Sequence, residues 1–371
     1  MNFEFSDESQ LLREQAQRFL RENCTPKAVR AVLEGTAPYD AALWRSMAEM
    51  GWLGAAIPEA YDGLGLGYEA LCVLADELGR TLAPVPFASS IALAAEAILA
   101  AGSEAQKREY LPRLARGEII ATFALAEGPG DPREANIRAS LADGRISGTK
   151  WPVPDGTIAQ LAVVAVRDSR GAVSLVLLDL SAREVTKSAL ASIDPSRDQA
   201  RIDFAQAPAV VLGEGRQGWN TIRHVLDHAA ILTAFEQVGG ATAALEMATA
   251  YAKDRFAFGR PIGSFQAIKH RLADVYVATE LARSNAYYGA WALTADSAEL
   301  PLAAATARVS ASEAFFFAAK ENIQVHGGVG YTWDYDCHLY YRRAKHLALA
   351  LGSPRHWKDR VVSELETRNA A

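Results

Sequence analysis

The sequence predicts a mainly α-helical protein with a β-barrel insert: an N-terminal helical domain, a middle antiparallel β-barrel and a C-terminal four-helix bundle. Three observations carry this expectation. Apolar residues recur at helical spacing as far as about Gly117, and near Glu118 the period falls from about 3.6 to about 2. After Gly218 helical spacing returns and lasts to the end of the chain. At 371 residues the chain is long enough for two or three structural units and a large core. The expected divisions are 1–117, 118–215 and 216–371.

Each element has a local reason. Ser6 can cap a helix that runs through Leu11, Leu12, Ala16 and Phe19, and a further helix over 39–50 stops at Gly51. Residues 57–67 are rich in turn formers and read as a loop, after which helices follow over 69–78 and 91–101. The runs 119–126, 145–153, 161–166, 173–178 and 201–204 are short and rich in branched and aromatic residues, with hairpin turns at Asp143-Gly144 and 168–171. Long helices are expected over 219–255, 265–295 and 301–325, the last with Pro301 in its first turn. Gly352 and Pro354 divide the tail into shorter helices.

Composition excludes several classes. Half of the residues are hydrophobic, and a net charge of −6 gives no electrostatic footprint for nucleic acid. Cys24, Cys72 and Cys337 are scattered, without CxxC or His/Cys ligand spacing, which fits reduced thiols in a cytoplasm and no structural metal. The acidic start, 1–9, lacks the basic and apolar stretches of a signal peptide, and Gly, Pro or charge breaks the longest apolar runs, so neither secretion nor membrane spanning is expected. His224 and His228 stand four apart on one helix face, a spacing that can ligate zinc. With no Glu between them and no third ligand apparent, they read as polar surface.

The most informative stretch is Arg255-Phe-Ala-Phe-Gly-Arg-Pro-Ile-Gly-Ser-Phe-Gln266, continuing to Asp274 and followed about fifty residues later by Gln324-Val-His-Gly-Gly-Val-Gly-Tyr-Thr332. A helix is expected to end at Phe258-Gly259, Pro261 prevents its continuation, and a new helix begins near Ser264. That corner brings together a fixed cation, an aromatic ring and an amide. The Arg255 guanidinium is always charged and forks onto two oxygens, as a pyrophosphate requires. Gly327 and Gly328 let backbone approach a ligand closely.

In this order and spacing, the two segments resemble the flavin-binding elements of the acyl-CoA dehydrogenase family, and the resemblance extends over nearly the whole chain. It implies the same helix–sheet–helix order, and FAD as cofactor. It also implies that the C-terminal elements of one protomer cover the adenine half of FAD bound mainly to a neighbour. Arg255, Phe258, Gln266, Gln324, Gly327 and Gly328 match the motif positions, whereas Ala257 stands where relatives often have a hydroxyl. On the ring side, family members carry Thr-Glu-Pro-Gly-Ala-Gly-Ser-Asp and Trp-Ile-Thr or Trp-Ile-Ser runs. Here they read Ala126-Glu-Gly-Pro-Gly-Asp131 and Lys150-Trp-Pro-Val-Pro-Asp155. Ala126 lacks the hydroxyl, and Pro154 has neither hydroxyl nor N–H to offer. Phe123 and Leu125 are candidate apolar neighbours of the flavin ring, or alternate residues of a barrel core.

Desaturation of an acyl-CoA needs a base for the α-proton, and a glutamate in an apolar pocket suits it. By the resemblance, the usual C-terminal position of that glutamate carries Leu351, and the alternative position on the first long C-terminal helix carries Ala229. Glu236 lies seven residues further on about the same face, roughly 10 Å along the axis at 1.5 Å per residue. It is the candidate base, for a differently seated bulky or cyclic acyl group, or else a structural carboxylate paired with a buried Arg. His326 can donate to a phosphate or cap its helix. Arg197 resembles an element near the acyl-CoA or the interface, and Asp334 stands where relatives have Glu near the flavin.

Two functions are therefore expected. One is an FAD-dependent acyl-CoA dehydrogenase acting on a bulky, cyclic or branched acyl-CoA, such as a sterol fragment, and passing electrons to an electron-transfer flavoprotein. The other is the non-catalytic subunit of a heteromeric dehydrogenase. The assembly is a homotetramer, or a heterotetramer with a paralogous chain.

Overall fold

The computed structural model describes residues 5–214 and 218–370. The first four residues of the acidic start and the expected boundary between 215 and 216 lie outside the described residues. Ser6 begins the first helix as its sequence position suggests: its hydroxyl accepts the Ser9 N–H at 3.2 Å, and α1 runs Asp7–Asn23. The chain divides into two compact units, one of Met1–Val29, Cys72–Ala83 and Ala230–Ala371, the other of Arg30–Leu71 and Pro84–Ala229.

The second unit holds the sheet and most of the chain that precedes it, residues up to 29 and 72–83 belonging to the first. After α2 (Pro26–Leu33), the Asp40 carboxylate caps α3 (Ala41–Glu49) by accepting the Leu43 N–H at 2.9 Å. The expected loop at 57–67 contains one short 3₁₀ turn and closes on itself. A Cβ at Gly63 would lie 1.9 Å from the Ile57 carbonyl oxygen, so only glycine fits there. Helix α4 is Tyr68–Arg80. The expected helix over 91–101 starts earlier and wider, as a π-helical stretch Ala88–Ala95 that tightens into α5 (Glu96–Ala101). Helix α6 (Glu104–Ala115) starts on a reciprocal capping box between Ser103 and Gln106.

Eight strands follow: β1 (Ala121–Ala124), β2 (Ser140–Ala142), β3 (Arg145–Pro154), β4 (Leu161–Arg167), β5 (Val173–Asp179), β6 (Val185–Ala189), β7 (Gln199–Pro208) and β8 (Val210–Val211). Their order is β6-β7-β3-β2-β4-β5-β8, with β1 added beside β4. The sheet is a curled half-barrel with mixed strand directions, and the expected closed antiparallel barrel is corrected on both counts. Strands β1 and β2 each run parallel to β4, while the hairpin pairs β2–β3 and β4–β5 are antiparallel. A period of two announces a strand but not its direction. Parallel pairing needs a long connection between partners, and the residues between β1 and β4 supply one. Burial follows position: β4 and β5 are buried almost throughout, β7 alternates, and the edge strand β6 is mostly exposed.

The first unit is helical. Helices α7 (Gly218–Asp254), α8 (Gln266–Thr294), α9 (Leu300–His326), α10 (Cys337–Leu349) and α11 (Pro354–Ala370) fall close to the expected limits. The part of α7 from residue 230 onward packs with α8, α9 and α10 around small side chains. Gly239 and Gly240 let neighbours touch the α7 backbone. A Cβ at Gly239 would lie 1.9 Å from the Asp76 carbonyl oxygen, and one at Gly240 would enter the Phe315 ring. Among the described residues no helix is long and apolar enough to cross a membrane.

Candidate functional site

The C-terminal motif forms a surface corner. Helix α7 stops at Asp254, earlier than Phe258-Gly259, because a two-residue hairpin intervenes: Phe256–Ala257 pairs antiparallel with Arg260–Pro261. Phe258 at φ 52° and Gly259 at φ 78° make the turn, a left-handed pair that suits tight hairpins. The end of α7, the start of α8 and the end of α9 are held together by Ala248, Ala252 and Val325, flanked by Tyr251, Ile262, Ile268 and Leu272. That small core places Arg255, Gln266 and Gln324 at one end of the unit, all three exposed.

The corner is open. Phe258 is 96 % exposed, and a Cβ at Gly327 or Gly328 would meet nothing within 4 Å. Among the described residues the Arg255 guanidinium meets no carboxylate. An unpaired fork, uncrowded backbone at Gly327 and Gly328 and an exposed ring fit the pyrophosphate and adenine half of a dinucleotide. His326 is committed elsewhere. Its ring is buried and stacked on Tyr251, its Nδ1–H donates to the Asn322 carbonyl at 2.8 Å, and burial pushes its pKa below the usual value, favouring the neutral ring. Asp334 lies on the surface.

In the sheet unit, the structure brings the two expected ring-side segments together. Trp151 N–H donates to the Ala126 carbonyl and Gly128 N–H to the Trp151 carbonyl, both at 2.8 Å. Their polar groups are largely satisfied from within. Lys150 is fully buried, and its Nζ donates to Glu127 Oε1 at 2.6 Å and to the Leu125 carbonyl at 3.1 Å. Burial pulls the Lys150 pKa down to about 8 against the opposing pull of Glu127. The Thr122 hydroxyl donates to the Pro154 carbonyl at 2.5 Å. Phe123 and Leu125 are buried. These segments do not fit the hydroxyl-based grip on a flavin ring. Arg197 is buried too, with Nη1 donating to the Val85 carbonyl at 3.0 Å.

Glu236 lies on α7 in the helical unit, 6 % exposed, with Arg343 Nη1 3.2 Å from its Oε1. Arg343 also donates to the Leu82 carbonyl at 3.1 Å. Nearby, fully buried Arg308 donates to Gln237, Ser312 and the Leu347 carbonyl. Burial opposes the Arg308 charge and the field of Glu236 supports it. Two buried guanidiniums thus depend on one carboxylate.

Sequence reading missed a third cluster, in the sheet unit. His228 is 5 % exposed, not a surface residue, and its Nδ1 lies 3.0 Å from Oε1 of Glu96, itself buried. Glu96 is the third ligand-type residue that the spacing of His224 and His228 left unnamed: donor atoms of all three lie within 4.8 Å of one another. Tyr68 donates to Glu96 Oε2 at 2.9 Å. Burial would raise the Glu96 pKa, but contact with His228 and Tyr68 and the nearness of His224 hold it below the usual carboxylate value. Glu96 sits on another helix, more than a hundred residues away in sequence, so no local pattern could reveal it.

Comparison with known proteins gives matches along most of the chain. The family model for the acyl-CoA dehydrogenase N-terminal domain matches residues 6–118, and that for the C-terminal domain matches residues 216–356. Acyl-CoA dehydrogenase IpdE2 of Mycobacterium tuberculosis is 36 % identical over 362 residues, covering 97 % of this chain and 98 % of that one. A variant of the Tcur3481–Tcur3483 steroid ACAD superposes with a TM-score of 0.89 at 31 % identity, covering 98 % of this chain and 99 % of the other. The ChsE4–ChsE5 complex of M. tuberculosis gives 0.90 at 28 % identity, covering 99 % of each chain.

Proposed function

The chain belongs to the acyl-CoA dehydrogenase family, oxidoreductases acting on CH–CH groups, and from that premise we propose that it serves in an FAD-dependent enzyme that introduces a 2,3-double bond into a bulky, cyclic or branched acyl-CoA thioester. The observation that carries this reading is the open corner of the helical unit. Arg255, Phe258, Gln266, Gln324, Gly327 and Gly328 stand at an open corner, ready for the adenine half of FAD bound to a neighbouring subunit. Bound FAD supplies a hydride acceptor for the β-hydrogen of the acyl group. This chain's part is to hold the pyrophosphate through the Arg255 fork. Similarity to the ChsE4–ChsE5 complex and to the two-component Tcur3481–Tcur3483 steroid ACAD supports assembly with a paralogous chain, proposed here as a heterotetramer, and the steroid named for the second supports a bulky substrate. Electrons then pass to an electron-transfer flavoprotein.

Glu236 is the candidate base if this chain performs the proton abstraction itself. A second reading, that the chain is the non-catalytic subunit, is favoured by the Glu236–Arg343 pair, because a carboxylate that neutralises buried arginines is occupied structurally. The inward-turned Lys150–Glu127 pair favours it as well. The three-part division at 1–117, 118–215 and 216–371 belongs to this proposal, supported by the limits of the two family models. So does a cytoplasmic location, supported by three cysteines buried as thiols.

Co-expression with a paralogous chain, followed by anaerobic addition of a panel of acyl-CoAs, tests the proposal. The complex is expected to be yellow and to bleach with a ring-bearing or branched member of the panel. A complex that bleaches with no acyl-CoA removes the desaturation reading. A lone chain that is fully yellow and bleaches unaided removes the non-catalytic one.

A further inference from the structure

The cluster of Glu96, His224 and His228 has the ingredients of a metal site, and the function proposed above makes no use of it. The histidines stand four apart on α7, so their rings share one face, with centroids 4.1 Å apart. Glu96 comes from a separate helix, at the point where the π-helical stretch tightens into α5. Such widened turns recur at functional sites. His228 Nδ1 reaches Glu96 Oε1 at 3.0 Å but off the line of a good hydrogen bond, so a buried donor atom faces the centre of the cluster without an aligned partner. The other Glu96 oxygen is held by the Tyr68 hydroxyl at 2.9 Å, which fixes the carboxylate.

We propose that Glu96, His224 and His228 bind one divalent transition-metal ion of the zinc class, leaving a fourth position for water. Two imidazoles and one carboxylate suit zinc better than magnesium or calcium, which prefer all-oxygen shells. Donors about 2.1 Å from a tetrahedral ion stand roughly 3.4 Å from one another. The donor atoms already lie within 4.8 Å, so small side-chain rotations close the shell. Ligation requires neutral imidazoles and an ionised carboxylate, so affinity falls as pH is lowered. The ion ties α5 to the start of α7 inside the sheet unit, and Tyr68 is the group that orients its carboxylate ligand.

The test uses the full chain, stripped with a chelator and titrated with Zn²⁺ alone against a competing chromophoric chelator, with metal content checked by mass spectrometry. One ion per chain is expected. His224→Gln is expected to weaken binding about 100-fold by loss of a ligand, and Tyr68→Phe about 10-fold by loss of orientation. Cobalt in place of zinc is expected to show the visible bands of a four-coordinate site without thiolate. Binding well below one ion per chain overturns the proposal, as does unchanged affinity in His224→Gln. His224 is only half-buried, so its variant decides the matter even where His228→Gln fails to fold.

Discussion

Arg343 and Glu236 form a buried ion pair at 3.2 Å between α10 and α7, and the field of the same carboxylate reaches buried Arg308. Breaking such a pair from one side leaves an uncompensated buried charge, at a cost of about 3–5 kcal/mol. Glu236→Gln is therefore expected to lower the thermal unfolding temperature of the assembled protein by several degrees. Arg343→Met in the Glu236→Gln background is expected to restore part of the loss, because both ionic partners are then gone. Thermal unfolding of the parent and the two variants measures this. If Glu236→Gln unfolds like the parent but no longer bleaches flavin with acyl-CoA, Glu236 is the base and not the countercharge.

Lys150 supplies a pH prediction. Its folded-state pKa of about 8 lies below the ordinary 10.5, with burial as the leading cause and Glu127 opposing it. Between those values the unfolded chain binds more protons than the folded one, so stability rises with pH. The denaturation midpoint is expected to climb from pH 8 toward pH 10 by this contribution, and the Lys150→Met variant to lose that climb. Parallel pH curves for parent and variant would discard the assignment.

Glu77 predicts the opposite slope at lower pH. Burial, helped by neighbouring Asp76, lifts its pKa from 4.5 to about 7 despite Gln17, Arg80 and Arg13. A folded pKa above the unfolded one gives a contribution that is complete below the unfolded value and lost as pH rises through the folded value. Stability from this group thus declines between about pH 4.5 and 7. In Glu77→Gln that decline is expected to disappear, which urea denaturation at pH 5 and pH 7.5 reads directly. A variant whose midpoint shifts with pH as the parent's does would refute it.

Much of this was legible in the sequence because it is local. Ser6 caps α1 through the Ser9 N–H, and α8 and α9 end within a residue or two of their expected limits. What escaped is what depends on partners far along the chain. The period of two in 119–126 and 161–166 cannot say that β1 runs parallel to β4, because direction is decided by the connection between them. His224 and His228 display their spacing openly, but Glu96 reaches them only through the fold. Phe258-Gly259 reads in sequence as a helix stop, and only the fold shows it as the turn of a hairpin that pairs Phe256–Ala257 with Arg260–Pro261.

Arg255 gives the sharpest test of the cofactor surface. It is exposed and, among the described residues, pairs with no carboxylate, so replacing it removes nothing that holds the fold together. Charge-assisted hydrogen bonds from a forked guanidinium contribute about 1.5–3 kcal/mol, and each 1.4 kcal/mol is about tenfold in affinity. Arg255→Ala is expected to weaken FAD binding by the assembled enzyme roughly 10- to 100-fold while its unfolding temperature, measured without added FAD, stays within a degree of the parent's. Arg255→Lys is expected to recover only part of the affinity, since an ammonium keeps the charge but not the two-point geometry. Fluorescence titration of the apo-complex with FAD measures all three. Equal affinity for parent and Arg255→Ala would move the pyrophosphate away from this corner, and with it the argument that this chain lends its neighbour the adenine half of the site.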